Sequence, residues 1–489
     1  MYNLILLIVA AASCVAAVLR WRVGPFLMVV VGFLQDPIRK ITPGTPAYLL
    51  LPAACVWACT ILGAIRAHDL SFQRFRIAYP RLSSTMMIFG FVLTPSVITS
   101  ATYGPSSWQI TVVGLFVYGS LLIGMVVGTF SPLRTSDIKR FMAWYATLAV
   151  PVLGGGFLEK LGIEHPVIGT SMMGHSWVTY RMGSEGVRML AGFLRSPDAN
   201  GWHAATATMF ALTLVFAFRR PIIRLCFAAI AVWAFADVLL CARRKMLAMI
   251  PVFAVVFVLL HVRHLKARYA APLIALMLVV ASMGASVYGR LNPGEESEAF
   301  LLSTAHDARE RILKHGWRTV VGTYRQAGFF GYGIGMATQG VHNIEAERPR
   351  IWQEAGLSKL MAEVGIVGTL GFLLLTLVVA SALWRDLQRV RDHQMLFSVY
   401  AGLSAFMAAN VSAGIVSAQV FGDPFIAALL SFSLGMALSA ARVHVKQQPP
   451  HSVPPSSIPT AAKAGRAESR RTATDVPGTE RPNGKFERW

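Results

Sequence analysis

The sequence predicts an all-α, polytopic integral membrane protein of about twelve to thirteen transmembrane helices with a large, partly helical outer loop. Three observations carry this expectation. The 489 residues are 55% hydrophobic and 14% charged, with a mean hydropathy of +0.54. The apolar residues gather in runs close to the roughly 20 residues that cross a bilayer, far more of them than a soluble globule buries. Lys and Arg cluster in the short stretches between runs, the pattern that orients helices in a membrane.

Taken in order, the apolar runs fall at 3–19, 23–35, 46–65, 85–103, 108–128, 141–157, 202–218, 222–242, 246–262, 270–288, 363–383, 395–414 and 423–441. The first has no positive side chain ahead of its apolar core and is expected to be a retained span, not a cleaved signal peptide. The second is short enough to be re-entrant. Basic clusters Arg20/Arg22, Arg66/Arg74/Arg76/Arg81, Arg134/Lys139/Arg140, Arg219/Arg220/Arg224, Arg263/Lys266/Arg268 and Arg385/Arg389/Arg391 follow every second run. One assignment places them all in the cytoplasm, with the N-terminus outside, the C-terminus inside and two outer loops, 158–201 and 289–362. The transmembrane domain then covers residues 1–442, loops included. Residues 443–489 are rich in Pro, Ser, Ala and Arg without periodicity, and read as a disordered basic cytoplasmic tail within reach of anionic lipid.

Two groups of cations oppose the insertion rule: Arg39-Lys40 after the second run, and Arg243-Arg244-Lys245 between two spans. Ionisable groups at such a boundary are costly, so either they serve a function or they snorkel to lipid headgroups. A net charge of +21 does not point to nucleic acid, because the cations sit between spans or in the tail and form no basic face with stacking aromatics. Cys14, Cys55, Cys59, Cys226 and Cys241 lie in or beside apolar runs without disulfide or metal spacing and read as packing residues.

The first outer loop holds His165, His175, Arg181 and Arg188, then Gly192 to Trp202. Its Ser-Pro-Asp-Ala-Asn-Gly stretch is turn chemistry leading into a helix, with Asp198 or Asn200 available as the cap. The two histidines lack a Cys or carboxylate at ligand spacing, so no metal is expected. In the second loop, Leu301, Ala305, Ala308 and Ile312 share one helical face, and Leu313, Trp317, Val320 and Tyr324 a rotated one beyond Gly316. One kinked helix or two short ones are expected, with Arg311 and Lys314 off the apolar faces and Arg309 and Arg318 on a solvated face. Trp317 and Trp352 read as interface anchors. Gly331, Gly333 and Gly335 permit close backbone approach, but they follow no strand and open no dinucleotide fold.

From about residue 185 to 385 the chain resembles the O-antigen ligase and exopolysaccharide polymerase superfamily. Ala242-Arg243-Arg244-Lys245 is similar to that family's small-residue-Arg element opening a span, and Arg311, before Trp317, to its loop arginine. The turn from Gly331 to Gly335 is similar to the family's glycine turn, and Gly192 to Asn200 to its Pro-Asn loop, with Asp198 where Asn is usual. Where the family commonly has His-Asn before Glu-x-Gly-x-x-Gly this chain has Glu354, and His342-Asn343 stands earlier, beyond Arg348 and Arg350, so either Glu354 takes the histidine's place or an insertion has moved His342 along a longer loop. The resemblance implies a bacterial inner-membrane protein acting at its periplasmic face on polyprenyl-pyrophosphate-linked glycan, alongside other polysaccharide-assembly proteins.

Glycan transfer from such a donor needs cations for the leaving pyrophosphate and a group that takes the acceptor's proton. Arg243 or Arg244 with Arg311 fits the first task, because guanidinium stays charged and grips phosphate oxygens bidentately; Arg348 and Arg350 are further candidates. Glu354 or His342 fits the second, though Glu354 also has Arg348 and Arg350 as ion-pair partners. No cofactor or metal is required by this chemistry. The glutamate variant is closer to a polymerase-like branch than to a lipid A core ligase, so the resemblance favours polymerisation over ligation. The rival class is a transporter or flippase, which calls for broken helices, as Pro95 or Gly154-Gly155-Gly156 would provide, and often for repeated halves, of which the sequence shows no obvious sign. Glu363 reads as a favourable charge at a helix N-terminus.

Overall fold

In the core of a bilayer each backbone N–H and C=O must be paired within its own segment, which leaves helices as the one conformation open to these apolar runs. The computed structural model describes residues 2–163, 165–169, 178–180, 186–264, 270–291, 317–338, 344, 353, 355–418, 422–440 and 442–443. Its helices are α1 (Tyr2–Leu19), α2 (Gly24–Ile41), α3 (Pro52–Arg66), α4 (Phe72–Ala78), α5 (Pro80–Val92), α6 (Thr94–Ser100), α7 (Ser107–Phe130) and α8 (Thr135–Lys160). After a short antiparallel ribbon, β1 (Val178–Tyr180) with β2 (Gly186–Arg188), come α9 (Pro197–Ala217), α10 (Pro221–Leu240), α11 (Arg244–His264) and α12 (Ala270–Leu291). The last four are α13 (Trp317–Ala327), α14 (Gly356–Val390), α15 (Gln394–Val416) and α16 (Pro424–Leu438).

Among the described residues, eight helical segments are long and apolar enough to cross a membrane: α1, α5 with α6, α7, α8, α10, α11, α14 and α15. The fold is therefore that of an all-α polytopic membrane protein. At its centre stands α9, in which every residue but Phe216 is buried. Its small side chains make this possible: Ala204, Ala205, Ala207 and Ala211 admit close neighbours, and Thr208 and Thr213 return their hydroxyls to the carbonyls of Ala204 and Met209 at 2.9 Å. Gly402 of α15 lies against Thr213, while Trp202 donates to Asn410 at 2.8 Å, so α9 and α15 run antiparallel.

Other contacts fix the remaining directions. Phe26 meets Phe141 and Phe33 meets Tyr145, both at 5.5 Å between ring centroids, so α2 and α8 run parallel. Gly124 faces Ser431 and Gly128 faces Phe432 and Gly435, so α7 and α16 are parallel too. The C-terminal ends of α2 and α8 thus meet the N-terminal ends of α9, α11 and α16 at one end of the bundle, joined by Arg195 to Asp36 and Asp423, and by Arg243 to Asp198.

Several local expectations change. The second run forms part of α2, an 18-residue helix that also carries Gln35, Asp36, Arg39 and Lys40 into buried positions in its last turns. Gly154 to Gly156 break nothing, since α8 is continuous to Lys160. A Cβ on Gly155 would stand 2.5 Å from the Phe193 nitrogen, and one on Gly156 would collide with the Asp237 carboxylate, so these glycines make room for the following loop. The only interruption near Pro95 is the junction of α5 and α6 at Leu93. Of the helix expected across residues 301–324, the described part is α13, which begins at Trp317.

Candidate functional site

The cap of α9 is Ser196, whose hydroxyl accepts the Ala199 N–H at 3.2 Å with Pro197 in the first turn; neither Asp198 nor Asn200 serves. Both side chains are thereby released for tertiary contacts. Asp198, 2% exposed, pairs with Lys245 at 2.9 Å and with the guanidinium of Arg243. Ala242 delivers them by adopting a left-handed φ of 50°, a conformation costing a non-glycine residue roughly 1–2 kcal/mol. Asn200 donates to Asp237 at 2.9 Å and to the Cys241 sulfur at 3.0 Å, and all three are buried.

The chain from Met189 to Ser196 is threaded between α8 and α2. Its backbone N–H groups at Ala191 and Gly192 donate to Glu159 Oε2 at 2.9 and 2.8 Å, while the Gly192 carbonyl accepts from Lys40 at 2.7 Å. Gly192 has φ 57°, and a Cβ there would lie 2.6 Å from the Gly156 nitrogen, so the position accepts no side chain. Arg195 spans Asp36, 3.6 Å away, and Asp423, the latter also capping α16 by accepting from Phe425 and Ile426 at 2.8 and 3.0 Å. Arg39 donates to the carbonyls of Thr45 and Pro46 at 3.1 and 3.2 Å. Arg39, Lys40, Arg243 and Lys245, four of the five cations in the two rule-breaking groups, therefore have partners within the protein. Burial pushes the Lys40 ammonium down to about 8 against the opposing pull of Asp36 and Glu159.

A second polar centre surrounds Glu363. This carboxylate is fully buried, not an exposed charge at a helix head, and takes hydrogen bonds from Lys359 at 2.6 Å, Tyr118 at 2.7 Å, and the Ala337 N–H and Thr338 hydroxyl at 2.9 Å. Two residues on, Gly365 has φ 65° and ψ −168°, which interrupts α14 and leaves carbonyls of the preceding turn without intrahelical donors. The glycine turn supplies them: Tyr332 N–H donates to Ala362 O at 2.7 Å and Gly333 N–H to Glu363 O at 3.0 Å. Gly331, Gly333 and Gly335 have φ of 72°, 107° and 84°, and a Cβ on Gly331 or Gly333 would lie 2.6 Å from Gly365 N or 2.5 Å from Ser100 N. Close backbone approach is what these glycines provide, and it is spent on the protein's own helices.

The structure thus brings Arg188, Asp198, Asn200, Arg243 and Lys245 to one end of the bundle, with Arg244 half-buried beside them. Arg311, Lys314, His342, Arg348, Arg350, Trp352 and Glu354 lie outside the described residues, as do His175 and Arg181. Sequence reasoning passed over Asp36, Glu159, Arg195, Asp237, Lys359 and Asp423, and gave Glu363 only a dipole role. The available signal was an ionisable residue inside or at the mouth of an apolar run, which in a membrane protein marks a candidate site by itself. Among the described residues around this end, the cations Arg39, Lys40, Arg188, Arg195, Arg243, Arg244 and Lys245 outnumber the carboxylates Asp36, Glu159, Asp198, Asp237 and Asp423, an arrangement suited to an anionic ligand. Compared with protein-family models and with curated proteins, the chain matches none.

Proposed function

We propose that this protein is a metal-independent glycosyltransferase that polymerises, or ligates, polyprenyl-pyrophosphate-linked oligosaccharide at the outer face of a bacterial inner membrane. The observation that carries the proposal is the convergence of Arg243 and Lys245 on the buried Asp198, with Arg244 beside them and cations in excess. Held this way, the guanidinium and ammonium are oriented before any substrate arrives, so a departing pyrophosphate meets fixed positive charge without reorganisation. The sidedness is supported by the exposed basic residues Arg66, Arg74, Arg76, Arg134, Arg219, Arg220, Arg224 and Arg385, which follow the insertion rule if they face the cytoplasm. The break in α14 at Gly365 favours a second reading, a transporter or flippase for a lipid-linked or anionic substrate, since discontinuous helices recur at such sites.

One assay separates the two. Purified protein in liposomes is given lipid-linked oligosaccharide taken from cells lacking the gene. Elongation with release of the isoprenyl pyrophosphate supports the transferase. Movement of the oligosaccharide between leaflets without elongation supports the transporter and removes the transferase.

A further inference from the structure

The span formed by α5 with α6 runs antiparallel to α7 and touches it along one half. The rings of Phe89 and Tyr118 stand 6.5 Å apart, and the hydroxyls of Ser100 and Thr111 share a hydrogen bond at 2.9 Å. Toward the end that bears Arg81 and Arg134, the two spans instead flank a groove of about 260 Å³, lined by Leu70, Phe72, Met86, Met87, Ile123 and Val126 among others. Met86 and Val126 are buried and form its floor. Phe72, Met87 and Ile123 are 42%, 46% and 41% exposed, so the groove is open to whatever surrounds the protein.

Its depth says what that is. Met87 and Ile123 each lie about two turns in from the ends of their helices, at Pro80 and Phe130, or roughly 10 Å. At that depth a span is surrounded by hydrocarbon, and an apolar groove there is filled by a lipid chain that gains close contact with both helices.

The rim of the groove is basic. From the end of α3 to the start of α5 run Arg66, Arg74, Arg76 and Arg81, all exposed. The single carboxylate of that stretch, Asp69, is already held by Arg22 at 3.0 Å and by the Trp21 indole N–H at 2.8 Å. Arg76 stands one turn after the groove-lining Phe72, on the same face of α4. Basic residues beside a gap between spans favour an anionic headgroup. A second copy of the chain fits less well, since a twofold contact would set this arginine rim against itself.

We infer that the groove binds an anionic phospholipid, with one acyl chain laid along Met86, Met87, Ile123 and Val126 and the phosphate held by the arginines of α4. The inference is independent of the transferase function proposed above. The chain fixes where the lipid sits, and the headgroup fixes which lipid it is.

Native mass spectrometry of the full-length protein in detergent, titrated with dioleoylphosphatidylglycerol or dioleoylphosphatidylcholine, reads the affinity of the first lipid bound. Phosphatidylglycerol should bind about tenfold tighter than phosphatidylcholine. Arg74→Gln combined with Arg76→Gln should weaken phosphatidylglycerol about tenfold and leave phosphatidylcholine unchanged. Met87→Trp, which fills the groove, should weaken both lipids about fivefold. Arg220→Gln, an exposed arginine away from the groove, should alter neither. All of these positions are exposed, so folded protein is expected from each variant. Equal affinity for the two lipids overturns the headgroup assignment, and so does an Arg220→Gln that matches the double variant. Met87→Trp within about twofold of wild type overturns the groove as the site, and a dimer that carries no lipid replaces the phospholipid with a second copy.

Discussion

The two ends of the helical bundle treat charge in opposite ways. At the end where α9, α11 and α16 begin, Asp36, Lys40, Glu159, Asp198 and Asp423 are buried and each has a named partner. At the other end Arg219, Arg220 and Arg224 are exposed. One knot at that end does bury charge among the described residues: the Tyr79 hydroxyl donates to Asp386 at 2.5 Å and lies against the Leu438 carbonyl, with Arg389 3.3 Å from the same carboxylate. Burial and the adjacent Asp386 raise the Tyr79 phenol well above its ordinary value, so it stays a donor. Exposed arginines cost little and are enough to orient a helix, whereas a buried ion costs several kcal/mol and must be repaid by close partners. The asymmetry separates an end of exposed arginines from an end of buried, partnered charge.

The largest expected effect is on activity. Replacing Arg243, or Arg311 of the second loop, with alanine should abolish long-chain surface polysaccharide, a loss of about 10²- to 10³-fold in transfer if each stabilises the leaving group. Arg220→Ala at the opposite end should change neither chain length nor membrane level. Immunoblots beside gel profiles of the polysaccharide read both, and unchanged chain length in Arg243→Ala and Arg311→Ala would remove the pyrophosphate clamp.

Next in size is stability. Asp198→Ala removes the buried carboxylate that Arg243 and Lys245 share, and breaking a buried pair costs about 3–5 kcal/mol. Thermal unfolding in detergent should show this as a large fall in Tm, against little or none for Arg220→Ala. Equal shifts would mean that the two ends are not energetically distinct.

The pH dependence of stability sharpens the contrast further. Below about 8 the folded protein holds a desolvated Lys40 ammonium that the unfolded chain would solvate. Between about 8 and the ordinary 10.5 the unfolded chain binds the proton that the folded protein has lost, so stability rises with pH across that window. The gain is on the order of 3 kcal/mol. Measured as the Tm difference between wild type and Lys40→Met, it should move in favour of the wild type from pH 8 upward, and a flat difference would contradict the burial of this amine.

The smallest effect distinguishes two glycines with positive φ. Gly162→Ala, where a Cβ would meet nothing within 4 Å, should cost only the roughly 1–2 kcal/mol of a left-handed residue. Gly333→Ala adds a collision with the Ser100 backbone and should cost clearly more, by chemical denaturation of the two variants side by side.

Hydropathy and charge placement made the helices legible, and they also flagged Arg39-Lys40 and Arg243-Lys245 as anomalies. Their partners were not legible, because periodicity carries no information about which distant segments meet. Asp198 is 45 residues from Arg243, and Asp36 is 159 from Arg195. Asp237 is legible as an ionisable residue inside an apolar run, whereas the resemblance points to the outer loops. The cap of α9 falls two residues before Asp198 and four before Asn200 for a simple reason. Ser, Asp and Asn all cap well, and only the backbone decides which of them faces the free N–H groups.

The interruption at Gly365 has a consequence for the stretch that holds His342, Arg348, Arg350 and Glu354. On one side of it Thr338 is fastened to the Glu363 carboxylate, and on the other Gly356 is wedged against Gly414 and Ser417 only two turns before that same carboxylate. Departure and return are riveted to a single mount, so folding itself brings the two ends of that loop together.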